Sequence, residues 1–163
     1  MRQIQSLLMI GMLVASCTTN TKSDLSKTVS DYYHTYNERA DVEKMLTYYA
    51  PNVVFEDIIT GDRIEGKNAL REFLDWDNPN FQQLDNSLLV IETIIIEEGN
   101  AAIKGYFKKF KWGDTAFEPM HFTTLLTFDD TKHITKQVDW INYPSSLVNY
   151  SERKNSNLWL PAQ

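Results

Sequence analysis

Two carboxylates stand where β-strands would carry them toward a core. Asp57 closes the apolar run Val53-Val54-Phe55-Glu56, and strand alternation puts it on the same face as Val53 and Phe55. Asp139 lies between Val138 and Trp140 in a second apolar segment, "HITKQVDWINY", and an Asp inside such a strand is unusual. Burial disfavours the charged form of an acid, raises its pKa and makes it a better proton acceptor near neutral pH. Tyr33, on the apolar stripe of the first predicted helix, offers a neutral hydroxyl as donor. Asp57 or Asp139 as general base with Tyr33 as donor would form a proton-moving site that needs no cofactor. Each residue also has a plainer role. Asp57 can hydrogen-bond the turn before Gly61, Asp139 can face solvent, and Tyr33 can be packing among Tyr32, Tyr36, Tyr48 and Tyr49.

Around these groups the sequence supplies aromatic surface. Phe55 shares the face of Asp57, and Trp76, Trp112, Trp140 and Trp159 are more tryptophan than a chain of this size needs for packing. Large aromatics with a few convergent polar groups describe a site for a small hydrophobic or aromatic molecule. Phe55, Trp112, Trp140 and His121 are therefore candidate pocket residues, although a lone histidine is more often structural. No metal is expected, because His34, His121 and His133 show no ligand spacing with one another or with Cys17. There is no glycine-rich phosphate loop and no serine nucleophile elbow. "KKFKW", residues 108–112, reads as a strand with a solvated lysine face.

The elements that would position these residues follow in order. Leu25, Val29, Tyr32, Tyr33 and Tyr36 recur at helical spacing, with Asp24 or Ser23 available as a cap. "DVEKMLTYYA" predicts a short helix capped by Asp41 and stopped before Pro51. A strand pair, "VVFED" and "RIEG", joins through Gly61, and "KNALREFLDW" is helical again between Gly66 and Asn78-Pro79. From Phe81 onward the period becomes that of strands. "SLLVIETIIIEEG" and "NAAIKGYFKKFKW" meet at Gly99-Asn100, and "FEPMHFTTLLTFDD" and "HITKQVDWINY" meet around residues 129–132. Four long strands with short turns predict an antiparallel meander. The whole is α+β, a curved antiparallel sheet packed against three N-terminal helices with a cavity between.

The quoted segments "YHTYNERADVEKMLTYYAPNVVFEDIITGDRIEGKNALREFL" and "TLLTFDDTKHITKQVDW" together resemble the SnoaL-like family of the nuclear-transport-factor-two-like superfamily, over residues 24–143. The resemblance implies a cone-shaped, cystatin-like roll. Against the ketosteroid isomerases of that superfamily, Tyr33 falls on the tyrosine donor and Asp57 on the base, while Thr124 replaces the acid of the oxyanion hole. That replacement argues against steroid isomerisation by their mechanism. Strict alternation places nearby His121 on the opposite face from Thr124 unless a bulge intervenes. Against the polyketide cyclases, "ITKQVDW" puts Asp139 on a last-strand acid. The superfamily spans isomerases, cyclases, dehydratases and proteins without a reaction, so the resemblance names no substrate.

The ends and the charge set the remaining expectations. "MRQIQSLLMIGMLVAS" carries one charge and an apolar run from Leu7 to Ala15, too short for the roughly 20 residues that span a bilayer and suited to a signal peptide. Val14-Ala15-Ser16-Cys17 resembles a bacterial lipobox, which implies cleavage after residue 16, lipidation of Cys17 and attachment to a membrane of the cell envelope. Residues 17–23 would be the anchor and tether, 24–143 the domain, and 144–163 a tail packing on or beside it. The formal charge of −6 argues against nucleic acid and anionic lipid surfaces, so membrane association would run through the lipid alone. The apolar outer faces of "LLVIETIII" and "YFKKFKW" allow a homodimer through the sheet.

Overall fold

The computed structural model describes residues 17–148 and Ser156, with side chains from Asp24 onward. The expected leader, residues 1–16, and most of the expected tail lie outside the described residues, as do Trp159 and the side chain of Cys17. Helix α1 spans Cys17–Glu38, α2 Val42–Leu46 and α3 Lys67–Leu74. The strands are β1 (Tyr49–Asp57), β2 (Asp62–Glu65), β3 (Phe81–Gln83), β4 (Leu89–Glu97), β5 (Asn100–Phe107), β6 (Phe110–Trp112), β7 (Thr115–Phe117), β8 (Met120–Phe128) and β9 (Ile134–Ile141). A 3-10 turn, Ser145–Leu147, follows.

The six long and edge strands form one curved sheet in the order β2-β1-β9-β8-β5-β4. The expected meander is present as β4-β5-β8-β9, all antiparallel. One pairing departs from expectation: β1 lies parallel to β9, with Phe55 opposite Gln137 and Asp57 opposite Asp139. The sheet is therefore mixed, because the helical connection that follows β1 and β2 lets the last strand return alongside the first. A second departure is the break of "NAAIKGYFKKFKW" at Lys108-Lys109. Residues 110–112 turn away to join β3 and β7 in a small three-stranded sheet.

Local chemistry accounts for the element ends. The Asp41 carboxylate accepts the Lys44 N–H at 2.9 Å and caps α2. Helix α1 begins at Cys17, earlier than the stripe suggested, so Ser23 and Asp24 lie inside it and do not cap it. Its Leu25, Val29, Tyr32 and Tyr33 are all buried against the sheet. The β4-β5 loop consists of Glu98 and Gly99, both at positive φ (46° and 76°). That is the geometry of a type I′ turn, which matches the twist of the strands it joins. On β5, Gly105 lies under a bulge of β4, and a Cβ there would stand 2.3 Å from the Val90 carbonyl oxygen.

Register sorts the side chains between two faces. Ile103, Thr124, Asp139 and Asp57 form one row across the concave face, and Ala101, Leu126, Gln137 and Phe55 form the next. Ala102, Leu125 and Val138 form a row on the convex face, as do Lys104, Thr123 and Trp140. Glu56 also points to the convex side, where Arg63 and Lys136 both pair with it.

Candidate functional site

Between the concave face, α1 and the small sheet lies a cavity of about 410 Å³. Its walls are mainly aromatic and aliphatic: Phe55 and Phe122 from the large sheet, Tyr33 and Tyr36 from α1, and Phe110 and Trp112 from the small sheet. Phe81, Phe110 and Phe117 pack in sequence, with centroids 5.6 Å and 5.3 Å apart, and give the small sheet its apolar inner surface. Trp112 is 42% exposed, at the rim.

The polar part of the cavity is built on the β8-β9 pair. Thr124 donates its hydroxyl to Asp139 Oδ1 at 2.6 Å, and Gln137 Nε2 donates to Asp139 Oδ2 at 2.9 Å. Gln137 Oε1 in turn lies 2.7 Å from the Tyr49 hydroxyl and 3.2 Å from that of Tyr32, and these two phenols are 2.9 Å apart. Each phenol has one proton. Tyr49, with the shorter contact, donates to Gln137, and Tyr32 supplies the remaining proton to the triangle. The phenols thus fix the amide oxygen, which turns the amide nitrogen toward Asp139. The Tyr33 phenol lines the same cavity as Thr124 and Asp139.

Asp139 is buried, and burial pushes its carboxyl from 3.8 up to about 7. The Thr124 and Gln137 donors pull it down, while the charge of Asp57 adds to the rise. Burial, then the neighbouring Asp139, holds the Tyr33 phenol well above its ordinary range, so Tyr33 stays a neutral donor. The arrangement places one carboxyl able to exchange a proton near pH 7 beside neutral donors in an apolar chamber.

Asp57 is arranged differently. It is 1% exposed and faces the concave side, but it is not part of the cavity wall. Its Oδ1 accepts the N–H groups of Ile59 and Thr60, at 2.8 Å and 3.0 Å. Its Oδ2 accepts the Tyr143 hydroxyl at 2.6 Å. Tyr143 does line the cavity, so the phenol reaches the chamber and the carboxylate holds the phenol. Ser156 returns beside this turn, donating its hydroxyl to the Ile58 carbonyl at 3.1 Å.

Of the residues singled out from sequence, Tyr33, Phe55, Trp112, Thr124 and Asp139 meet at the cavity. His121 and Trp140 do not. Both lie on the convex face, exposed, His121 edge-on to Tyr106 at 6.0 Å. The alternation of β8 continues unbroken through His121 and Thr124, with no bulge between them to bring the imidazole inward. Gln137, Tyr143 and Arg39 are cavity residues that sequence reasoning missed. For Gln137 a signal existed: it shares the face of Asp139 two residues away. Tyr143 lies beyond the strand, and Arg39 beyond the helix, so neither falls on a periodic pattern. Among the described residues, no group of three His, Cys, Asp or Glu side chains comes together as metal ligands.

Residues 29–137 match the SnoaL-like domain profile, and the chain belongs to that family. Solved structures agree on the fold. A protein of Shewanella putrefaciens provisionally named a SnoaL-like polyketide cyclase is 19% identical, with a TM-score of 0.62 over 74% of this chain and 90% of its own. A similarly named protein of Shewanella denitrificans is also 19% identical, with a TM-score of 0.63 over 74% of this chain and 91% of its own. TerC, co-crystallised with polyporic acid, is 16% identical, with a TM-score of 0.54 over 71% of this chain and 88% of its own. No match is found among curated proteins.

Proposed function

We propose that this protein binds a small hydrophobic or aromatic molecule in the cavity between sheet and helices. The observation that carries this reading is a chamber of about 410 Å³ whose largely apolar wall is interrupted by the Asp139-Thr124-Gln137 cluster. Apolar walls supply affinity, and a few fixed polar groups supply orientation. That TerC, a protein of the same fold, was co-crystallised with polyporic acid is in keeping with it. The test is titration with the uncharged dye N-phenyl-1-naphthylamine, whose fluorescence rises in apolar surroundings. Saturable enhancement is expected, and Met120→Trp, which places an indole in the chamber wall, should abolish it. Enhancement indifferent to that substitution rules out the cavity as the site.

Asp139 favours a second reading, a cofactor-free isomerase, cyclase or dehydratase in which it serves as general base and Tyr33 as donor. The support is a proton affinity near neutral in a chamber that shields it from bulk water. Asp57 fits the base less well, because it is not part of the cavity wall and Tyr143, which is, holds its Oδ2. Exchange of the α-protons of 1-tetralone in D2O, followed by NMR, tests proton abstraction. Wild-type protein should accelerate exchange at least about 10-fold over Asp139→Asn, and equal rates remove this reading.

The lipobox-like segment before Cys17 supports attachment to a cell-envelope membrane through a lipid on that cysteine. Mass spectrometry of the membrane-extracted protein should find an acylated chain beginning at residue 17, and Cys17→Ser should be released to the soluble fraction. The convex face, where Ile95 (61% exposed), Leu125 and Trp140 stand together, supports a homodimer. Sedimentation equilibrium of the wild type against Leu125→Lys decides it.

A further inference from the structure

Arg39 is out of place in this chamber unless something uses it. It follows the last residue of α1, at φ 46°, and forms part of the cavity wall. Its guanidinium lies over the Phe81 ring at 4.1 Å and over that of Trp76 at 5.3 Å. Its Nε is buried and has no hydrogen-bond partner among the described residues, as is the case for Trp76 Nε1 in the same cluster. Asp75 and Asp77 act on Arg39 only from a distance, and among the described residues no carboxylate forms an ion pair with it. Eight other Lys and Arg side chains among the described residues do form such pairs, Lys27 and Arg71 among them.

The geometry indicates what would complete the group. A guanidinium stacked on rings has its faces occupied and its N–H donors left in the plane, the orientation that receives a planar carboxylate edge-on. Stacking and partial burial also hold the fork in place before a ligand arrives. Tyr33 and Arg39 are six positions apart, on and just beyond α1, so their backbones are offset by about 9 Å along the helix axis. An arginine that forms no ion pair among the described residues, although Asp75 of the same wall attracts it, aromatic walls and a protonatable acid together define a polarised slot.

We propose that the ligand of this cavity is an apolar, ring-containing carboxylate, with its carboxylate held by Arg39 and its apolar body directed toward Asp139. This rests on the small-molecule reading above and adds the chemical class. Arg39 is then the specificity-determining residue that distinguishes an anionic ligand from its neutral counterpart.

Calorimetric titration of the full chain with 2-naphthoate and with 2-naphthamide, which share a ring system and differ in charge, tests it. The expected preference for the naphthoate is about 10-fold or more, the range of a charge-assisted hydrogen-bonded pair. In Arg39→Gln the two ligands should bind within about 2-fold of each other, and in Arg39→Lys part of the preference should return. Circular dichroism establishes that the variants fold. If Arg39→Gln does not, the wild type in 1 M salt replaces it, where screening should weaken the naphthoate and leave the naphthamide unchanged. Equal binding of the two ligands by the wild type, an unchanged preference in Arg39→Gln, or indifference to salt overturns the proposal. N-phenyl-1-naphthylamine separates the two claims. Dye binding without naphthoate preference leaves the cavity and refutes the role of Arg39, and Arg39-dependent naphthoate binding without dye binding supports both, since Arg39 is part of the cavity wall. Binding of neither refutes both.

Discussion

Asp57 and Asp139 sit opposite each other on the parallel strands β1 and β9, yet among the described residues they share no hydrogen-bond donor. Asp57 is surrounded by two backbone N–H groups and a phenol, and Asp139 by a hydroxyl and an amide. The first set anchors a turn and a tyrosine, and the second leaves an acid with a raised pKa in the chamber. Neighbouring carboxylates on one sheet face are thereby given separate tasks.

The raised pKa of Asp139 makes stability depend on pH in a definite direction. Below about pH 3.8 the group is protonated in both folded and unfolded chains and imposes no penalty. As pH rises from there to about 7, the unfolded chain ionises first, so this contribution to stability is lost across that window. The full loss is on the order of 4 kcal/mol. Asp139→Asn should therefore gain on the wild type as pH increases, and be more stable above pH 7. Urea unfolding of both proteins from pH 4 to pH 8 measures the difference, and a constant gap contradicts the assignment.

Gln137 is a donor to the ionised form of Asp139 and so holds its pKa down. Gln137→Met should raise it further above 7, which NMR titration of the Asp139 carboxyl carbon reads directly. The same change takes an acceptor from Tyr49 and Tyr32, at a cost of about 1 to 3 kcal/mol. A downward pKa shift would mean that the amide does not point as described.

Asp57→Ala strands three donors, those of Ile59, Thr60 and Tyr143, and should destabilise by roughly 2 to 4 kcal/mol. In Asp57→Asn the remaining oxygen still accepts both N–H groups, and the new amide can donate to the phenol oxygen, so about 1 kcal/mol is expected. Tyr143→Phe combined with Asp57→Ala should cost less than the sum of the two. Thermal unfolding of the four proteins completes this cycle.

Gly105→Ala places a methyl group 2.3 Å from the backbone oxygen of Val90 and 3.0 Å from the Phe122 ring. The first is backbone and cannot yield cheaply, while the second is the tip of a ring that borders the chamber. A loss of about 1 to 3 kcal/mol is expected, with the Phe122 ring displaced into the chamber and weaker dye binding as a second readout.

Much of this was legible from local pattern. The stripe from Leu25 to Tyr36, the Asp41 cap, the hairpin at Gly99 and the inward face of Asp57 each depend on residues a few positions apart. What escaped depended on remote pairing. That Gln137 would face Tyr32 and Tyr49, or Tyr143 would reach Asp57, follows from β9 lying along β1, and no periodicity encodes that adjacency. The break after Phe107 escaped because "YFKKFKW" alternates as well as any single strand, and the small sheet that claims residues 110–112 forms only with β3. His121 is the instructive case: alternation alone set it on the face opposite Thr124, and its chemistry alone had suggested the pocket, as it had for Trp140.

The parallel pairing of β1 with β9 also bears on how the chain folds. Tyr143 and Asp57 are 86 residues apart, Gln137 and Tyr49 are 88, and Gln137 and Tyr32 are 105. Loop closure over such distances precedes any gain from the contacts, so this register should form late and slowly. A polypeptide emerging from its N-terminus can make α1, α2 and the β1-β2 pair early, but no chamber exists until residue 143 is available. Gln137, Asp139 and Tyr143 lie within one short stretch of chain, so the acid, its amide and the phenol become available together.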